Sequence, residues 1–201
     1  MNIFKLLFLI CLFTFQNTFS QKYDCGWYGK KTVDERNKVF PFDKARKVVL
    51  IAYSNKELGS EEDDNLSLNE VKNVNPDIIN KYVIDIENRP IVYFSTEEIE
   101  LAKEDVDKLS NILVNYKLRK IPKGGLAAGA NCYTPRNSIL FFDENDKIFC
   151  YYEICFECEI TSMYPDPKNL NKYSNLEGCE EKLMTIKNLF RNSGIQYGTD
   201  R

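Results

Sequence analysis

Apolar and polar positions along this chain set out most of its elements. Residues 47–53 (KVVLIAY) are a short run rich in β-branched side chains, which predicts a strand. Residues 82–86 and 91–94 predict two more, separated by Asn88, Arg89 and Pro90. Residues 98–101 alternate polar and apolar as a strand does, although Ser95 with Glu98 also spells a helix capping box. The reading adopted is a strand ending near Leu101, then a helix over 103–116. Val106, Leu109, Ile112, Leu113 and Tyr116 form its apolar stripe, and Glu104 and Asp105 suit the positive end of its dipole. Residues 138–142 and 147–155 predict two strands. A second helix is expected over 178–191, with Cys179, Leu183, Ile186 and Phe190 on one face and Gly194 beyond its end. Residues 25–41 read as an arm or loop, and 55–76 as a polar, acidic loop. The expected fold class is α+β: a mostly antiparallel sheet, with a central hairpin from the C-terminal half and two main helices packed on it.

That hairpin carries the sharpest chemistry. Asp143 to Asp146 read as a type I turn followed by a left-handed residue, with Asp146 in the left-handed place. In that register Asp143 faces Lys147, Leu140 faces Cys150 and Ser138 faces Tyr152. Extending the ladder sets Cys132 opposite Cys158 and Pro135 opposite Cys155, close enough for a thiol cluster. The strand 147–155 is apolar on both sides, with Ile148, Cys150, Tyr152 and Ile154 on one and Phe149, Tyr151 and Cys155 on the other. It should therefore be central in its sheet. Glu153 is its odd member. A carboxylate there needs a partner, and Arg136 is the nearest in the ladder, giving a structural ion pair in preference to a catalytic role.

The N-terminus changes the setting of those thiols. Lys5, an apolar run over 6–15 and the small residues Thr18 and Ser20 have the layout of a secretory signal peptide cut near Ser20. The run of about ten residues is too short to span a bilayer. Cys11 within it raises a lipoprotein reading, which bulky Ile10 disfavours. Residues 21–201 then form a single α+β domain, periplasmic or secreted, with no transmembrane segment in the mature chain. Removing Lys5 leaves 26 basic against 30 acidic residues, a net charge of −4. With no basic stripe, nucleic acid is not an expected partner; other partners are open.

Six cysteines survive cleavage: Cys25, Cys132, Cys150, Cys155, Cys158 and Cys179. An even number in an exported chain favours disulfides, though spacing does not fix their pairing. The leading reading is structural, with Cys132 bridged to Cys158 or Cys155, and Cys179 either packed in the core or bridged to Cys25. Two alternatives stay open for the C-x-x-C at 155–158. One is a thiolate metal knuckle with Cys132. The other is a thiol–disulfide redox pair, which Glu153, Glu157 and Glu159 would make a sluggish nucleophile. The chain contains no histidine, which removes Ser–His and Cys–His nucleophilic pairs and every His-ligated metal. Gly124, Gly125 and Gly129 lack the Lys-Ser/Thr of a phosphate loop, and Glu61 to Asp64 lack the spacing of a calcium loop. No cofactor and no resident metal are expected. Trp27, Tyr23 and Tyr28 are either a binding patch or an arm packed on the domain.

Cys132-Tyr-Thr-Pro-Arg-Asn137, the stretch Leu140 to Lys147 (LFFDENDK) and Glu153 to Cys158 (EICFEC) together resemble a family of exported bacterial proteins of the Bacteroidota type. The resemblance is strongest from Leu101 onward. It implies an extracytoplasmic compartment and a coherent fold. The family has no assigned activity, so a non-enzymatic binding or envelope-associated role is the expectation that accompanies it.

Overall fold

A computed structural model describes residues 24–53, 69, 79–86, 89–119, 133–165 and 179–199. The expected signal peptide, the loop at 55–76 except Asn69, the loop at 122–129, Tyr23 and Cys132 lie outside the described residues. The fold is α+β. In chain order the elements are β1 (Cys25–Trp27), α1 (Val33–Arg36), β2 (Lys47–Tyr53), β3 (Asn80–Ile86), β4 (Arg89–Glu100), α2 (Lys103–Asn115), β5 (Tyr116–Leu118), β6 (Asn137–Phe142), β7 (Ile148–Cys155), β8 (Ile160–Tyr164) and α3 (Glu180–Ser193). β3, β4, β2, β6, β7 and β8 lie side by side in one six-stranded sheet whose neighbours are all antiparallel. β1 and β5 form a separate antiparallel ribbon.

The period-two pattern of the strands sorts side chains to two faces. Val48, Leu50 and Ala52 of β2, with Ile139 and Phe141 of β6, meet Leu109, Ile112 and Leu113 of α2 and Leu183, Ile186 and Phe190 of α3. Val49, Ile51 and Tyr53, with Leu140 and Phe142, join Ile84, Tyr93 and Tyr151 in a second core on the opposite face. β2 is thus buried on both sides, and so is β6, which explains why KVVLIAY and NSILFF read as nearly unbroken apolar runs.

The capping-box ambiguity resolves as a strand. β4 runs unbroken to Glu100, and a bulge in its pairing with β2 falls at Thr96, between the pairs Ala52–Glu97 and Tyr53–Ser95. The Ser95 hydroxyl still donates to Glu98, at 2.9 Å, but across the bulge and not at a helix end. α3 ends where expected, with Gly194 at φ 108° donating its backbone N–H to Arg191 and Phe190.

The segment expected as an arm is bound tightly to α2. Asn115 mimics a strand partner for Lys31: its Oδ1 accepts from Lys31 N at 3.0 Å and its Nδ2 donates to Lys31 O at 2.9 Å. The buried Arg36 guanidinium donates to the Ser110 hydroxyl and to the carbonyls of Lys31 and Asp107. Gly29 crosses so close that a Cβ there would lie 2.6 Å from the Asn115 Cα.

Candidate functional site

The β6–β7 hairpin forms around the expected reversal, with Asp146 at φ 55°. Asp143 Oδ1 accepts the backbone N–H groups of Asn145 and Lys147, which draws its carboxyl below the usual range. Beyond the first pair, however, the register differs from the expectation. Phe142 faces Ile148, but Phe141 faces Cys150, Leu140 faces Tyr151 and Ser138 faces Glu153. Leu140 does not face Cys150, nor Ser138 Tyr152. A bulge at Phe149 inserts one extra residue into β7, so Phe149 and Cys150 both turn toward the helix-covered core, while Ile148 packs on the other face. Every later pair is displaced by one position.

At the far end of β7 the chain reverses again into β8. Cys155 pairs with Ile160, and the four residues between them form the turn, with Glu159 at φ 56°. Cys155 and Cys158 are joined to each other across this turn, with Cα atoms 5.3 Å apart. This corrects the expectation that Cys132 bridges one of them. A span of three residues inside one tight turn brings the two sulfurs together before any longer-range partner is needed. The Cys158 backbone N–H donates to Cys155 Sγ at 3.2 Å. Phe156 anchors the turn by packing edge-on against Phe190 of α3, ring centroids 5.6 Å apart. Cys25 and Cys179 form a second bridge, tying β1 to the residue that precedes α3. Cys150 is a free thiol sealed in the core, where burial pushes its pKa well up. In this bridged form neither sulfur is a thiolate, so the pair must be reduced before Cys155 or Cys158 can ligate a metal or act as a nucleophile.

Glu153 has partners other than the one expected. Arg136 Nη1 pairs with Glu157 at 3.0 Å, not with Glu153. The bulge accounts for this: it moves Arg136 level with Cys155 and next to the turn that carries Glu157. Glu153 instead accepts three phenolic hydroxyls. Tyr53 donates to Oε1 at 3.2 Å, Tyr93 to Oε1 at 2.9 Å and Tyr133 to Oε2 at 2.8 Å. Tyr53 stands on β2 and Tyr93 on β4, so the donors reach Glu153 across the sheet. Ser138, the β6 residue paired with Glu153, is small and leaves room for them. Burial first, and then the Glu153 charge, push the Tyr53, Tyr93 and Tyr133 pKa values well above that of an ordinary phenol. Tyr151 is pushed up to about 12 by the same two causes. The phenols therefore remain protonated donors and the carboxylate their shared acceptor.

Glu153 stands out in the sequence as a lone charge in an apolar strand, but its partners are phenols and not the expected opposite charge on the adjacent strand. The available signal was the tyrosine content of β2 and β4. Tyr53 ends an apolar run and Tyr93 sits within one, and each phenol needs an acceptor when its ring is buried.

Another buried charge went unremarked in the sequence. Lys182 of α3 is fully buried, and its Nζ donates to the Leu113 carbonyl in the last turn of α2 at 3.2 Å. Desolvation lowers its pKa to about 7. An ammonium at a helix C-terminus complements the helix dipole, and this one links the two helices.

No family model, no curated protein and no solved structure matches this chain. Among the described residues, no group of three or more Cys, Asp or Glu side chains is placed to hold a metal, and no helix is long and apolar enough to cross a membrane.

Proposed function

We propose that this is an exported protein, periplasmic or secreted after cleavage near Ser20, with a non-enzymatic binding or envelope-associated role. In this reading its cysteines serve the fold. The observation that carries it is the Cys25–Cys179 bridge, which joins residues 154 positions apart and ties half-buried Cys25 to buried Cys179. Such bridges persist in oxidising compartments and are rare in reducing ones. The resemblance to exported Bacteroidota-type proteins points the same way, as do the apolar N-terminal run and the small residues before Gln21. The Glu153–tyrosine cluster fits a structural role, because every donor and the acceptor are satisfied within the protein.

Export is tested by fractionating the cells that make the protein and measuring the intact mass of the mature chain. A mass matching residues 21–201, less the hydrogens lost in the bridges, agrees with the proposal. A full-length, fully reduced chain in the cytoplasm contradicts it.

One contact favours a second reading. The Cys158 N–H directed at Cys155 Sγ would also stabilise a Cys155 thiolate, as a thiol–disulfide oxidoreductase requires. Against it stand the nearby Glu157 and Glu159 and the absence of a helix N-terminus at the turn. Redox titration separates the two, since a structural bridge resists reduction at potentials where a catalytic pair cycles.

A further inference from the structure

The geometry points to a binding site for a neutral saccharide in the groove between α2 and α3, beside Trp27. This gives a ligand class to the binding role proposed above and rests on that role. The groove is an open cavity of about 290 Å³. That is near the lower end for small-ligand pockets and suits one or two sugar rings.

Three features of the lining select the ligand. First, Trp27 is the sole tryptophan of the chain and is 53 % exposed, although the segment that carries it is pinned in place. Its backbone pairs with Tyr116, its ring meets the Tyr116 ring edge-on at 5.1 Å, and the Cys25–Cys179 bridge lies two residues away. A large apolar ring held rigid at the rim of a groove offers a flat surface for the C–H face of a pyranose at little entropic cost.

Second, apart from Lys108, the polar part of the wall consists of groups that both donate and accept. Thr185, Asn188 and Asn192 follow one another along a single face of α3, opposite Asn111 of α2. Asn111 Oδ1 accepts from Asn115, which leaves its own NH₂ uncommitted among the described residues. Thr185 donates to the Glu181 carbonyl, which leaves its oxygen free to accept. Carboxamides and a hydroxyl in this arrangement match vicinal sugar hydroxyls, which also donate and accept.

Third, the groove carries no net charge. Among the described residues no carboxylate lines it, and the one cation that does, Lys108, is paired with Asp105 at 2.8 Å. An ionic ligand would find no countercharge there. Ile112 and Leu189 supply an apolar floor, so the site combines the two surfaces that an amphipathic sugar ring presents.

Because Trp27 is the only indole, its fluorescence reports on this groove alone. The purified, disulfide-intact protein should be titrated with neutral oligosaccharides: maltotriose, cellotriose, xylotriose and tri-N-acetylchitotriose. At least one is expected to give a saturable change in tryptophan emission. Asn188→Ala should weaken that binding by at least about tenfold while leaving the thermal midpoint unchanged, since Asn188 is exposed. Trp27→Ala, followed by calorimetry, should abolish it. The inference is overturned if no sugar in the panel alters the emission at millimolar concentration, or if Asn188→Ala binds as tightly as the unaltered protein. It is equally overturned if the emission changes with protein concentration alone, which would assign the groove to a second copy of the chain. The titration uses folded protein whatever its cellular compartment, so its failure is distinct from a failure of the export assay.

Discussion

Cys25 and Cys179 are bonded to each other with their Cα atoms 5.8 Å apart, although 154 positions separate them in the chain. The bond fastens the ribbon of β1 and β5 to the start of α3. Cys155 and Cys158, by contrast, close a span of only three positions. If a disulfide acts mainly by restricting the unfolded chain, the long loop contributes about 5 kcal/mol and the short one about 2 kcal/mol. Replacing Cys25 and Cys179 together by serine should therefore lower the unfolding free energy in urea by several kcal/mol. The same change at Cys155 and Cys158 should cost about 2 kcal/mol or less. Equal losses in the two double variants would contradict this ranking.

Glu153 is held by phenols and not by Arg136. Glu153→Gln leaves three hydroxyls facing a weaker, neutral acceptor and should destabilise the protein by about 1–3 kcal/mol. Arg136→Ala removes only a half-exposed pair with Glu157, and its effect should stay under about 1 kcal/mol. A double-mutant cycle between Arg136 and Glu153 should give a coupling near zero. The cycle between Tyr93 and Glu153 should give a clear positive coupling. The reverse order would restore the ion pair expected from the sequence.

The buried phenols fix the alkaline limit of the fold. Tyr53 and Tyr93 have pKa values raised well above 10.0, and Tyr151 is raised to about 12, in each case chiefly by desolvation. In the unfolded chain all three ionise near pH 10. Their contribution is fully present below that pH. Above it the unfolded state binds fewer protons than the folded one, so stability falls as pH rises, each group adding about 1.4 kcal/mol per pH unit to the loss. Tyrosinate absorbance and circular dichroism should change together in one cooperative step. Independent ionisation of these phenols near pH 10 with the fold intact would contradict their placement.

Lys182 has the opposite sign. Its pKa is lowered to about 7 in the folded protein, against an unfolded value near 10.4. Between those values the unfolded chain holds the extra proton, so this group's effect makes stability rise with pH across the window. Below about pH 7 the penalty of burying the ammonium is felt in full. Lys182→Met should stabilise the protein by on the order of 2 kcal/mol near pH 6, and the gain should shrink toward pH 10. A gain independent of pH would mean that Lys182 stays charged, or is solvated, in the fold.

Much of the architecture was legible in the sequence because it depends on local periodicity. The strand at residues 47–53 appears with those bounds, α2 and α3 fall within a few residues of expectation, and Gly194 ends α3 as a left-handed cap. The elements missed were those with weak periodic signals. β1 and β5 have three residues each and rely on each other and on a bridge to a distant helix. β8 has partly exposed residues throughout and lies just before Pro165. The bulge at Phe149 was illegible because Ile148, Phe149 and Cys150 are all apolar, so a one-residue slip leaves no polar residue conspicuously misplaced. That slip moved every pair on which the site geometry depended. Two of the three phenolic partners of Glu153, Tyr53 and Tyr93, came from strands non-adjacent to β7, which pairing rules within one hairpin do not reach.

The most direct test of the account is disulfide mapping of the protein, isolated from the cells that make it, after alkylation under denaturing, non-reducing conditions. The account predicts one linked peptide pair containing Cys25 and Cys179, a second bridge between Cys155 and Cys158, and alkylation of Cys150. An alkylated Cys25 or Cys179, or either of them joined to another cysteine, would contradict it.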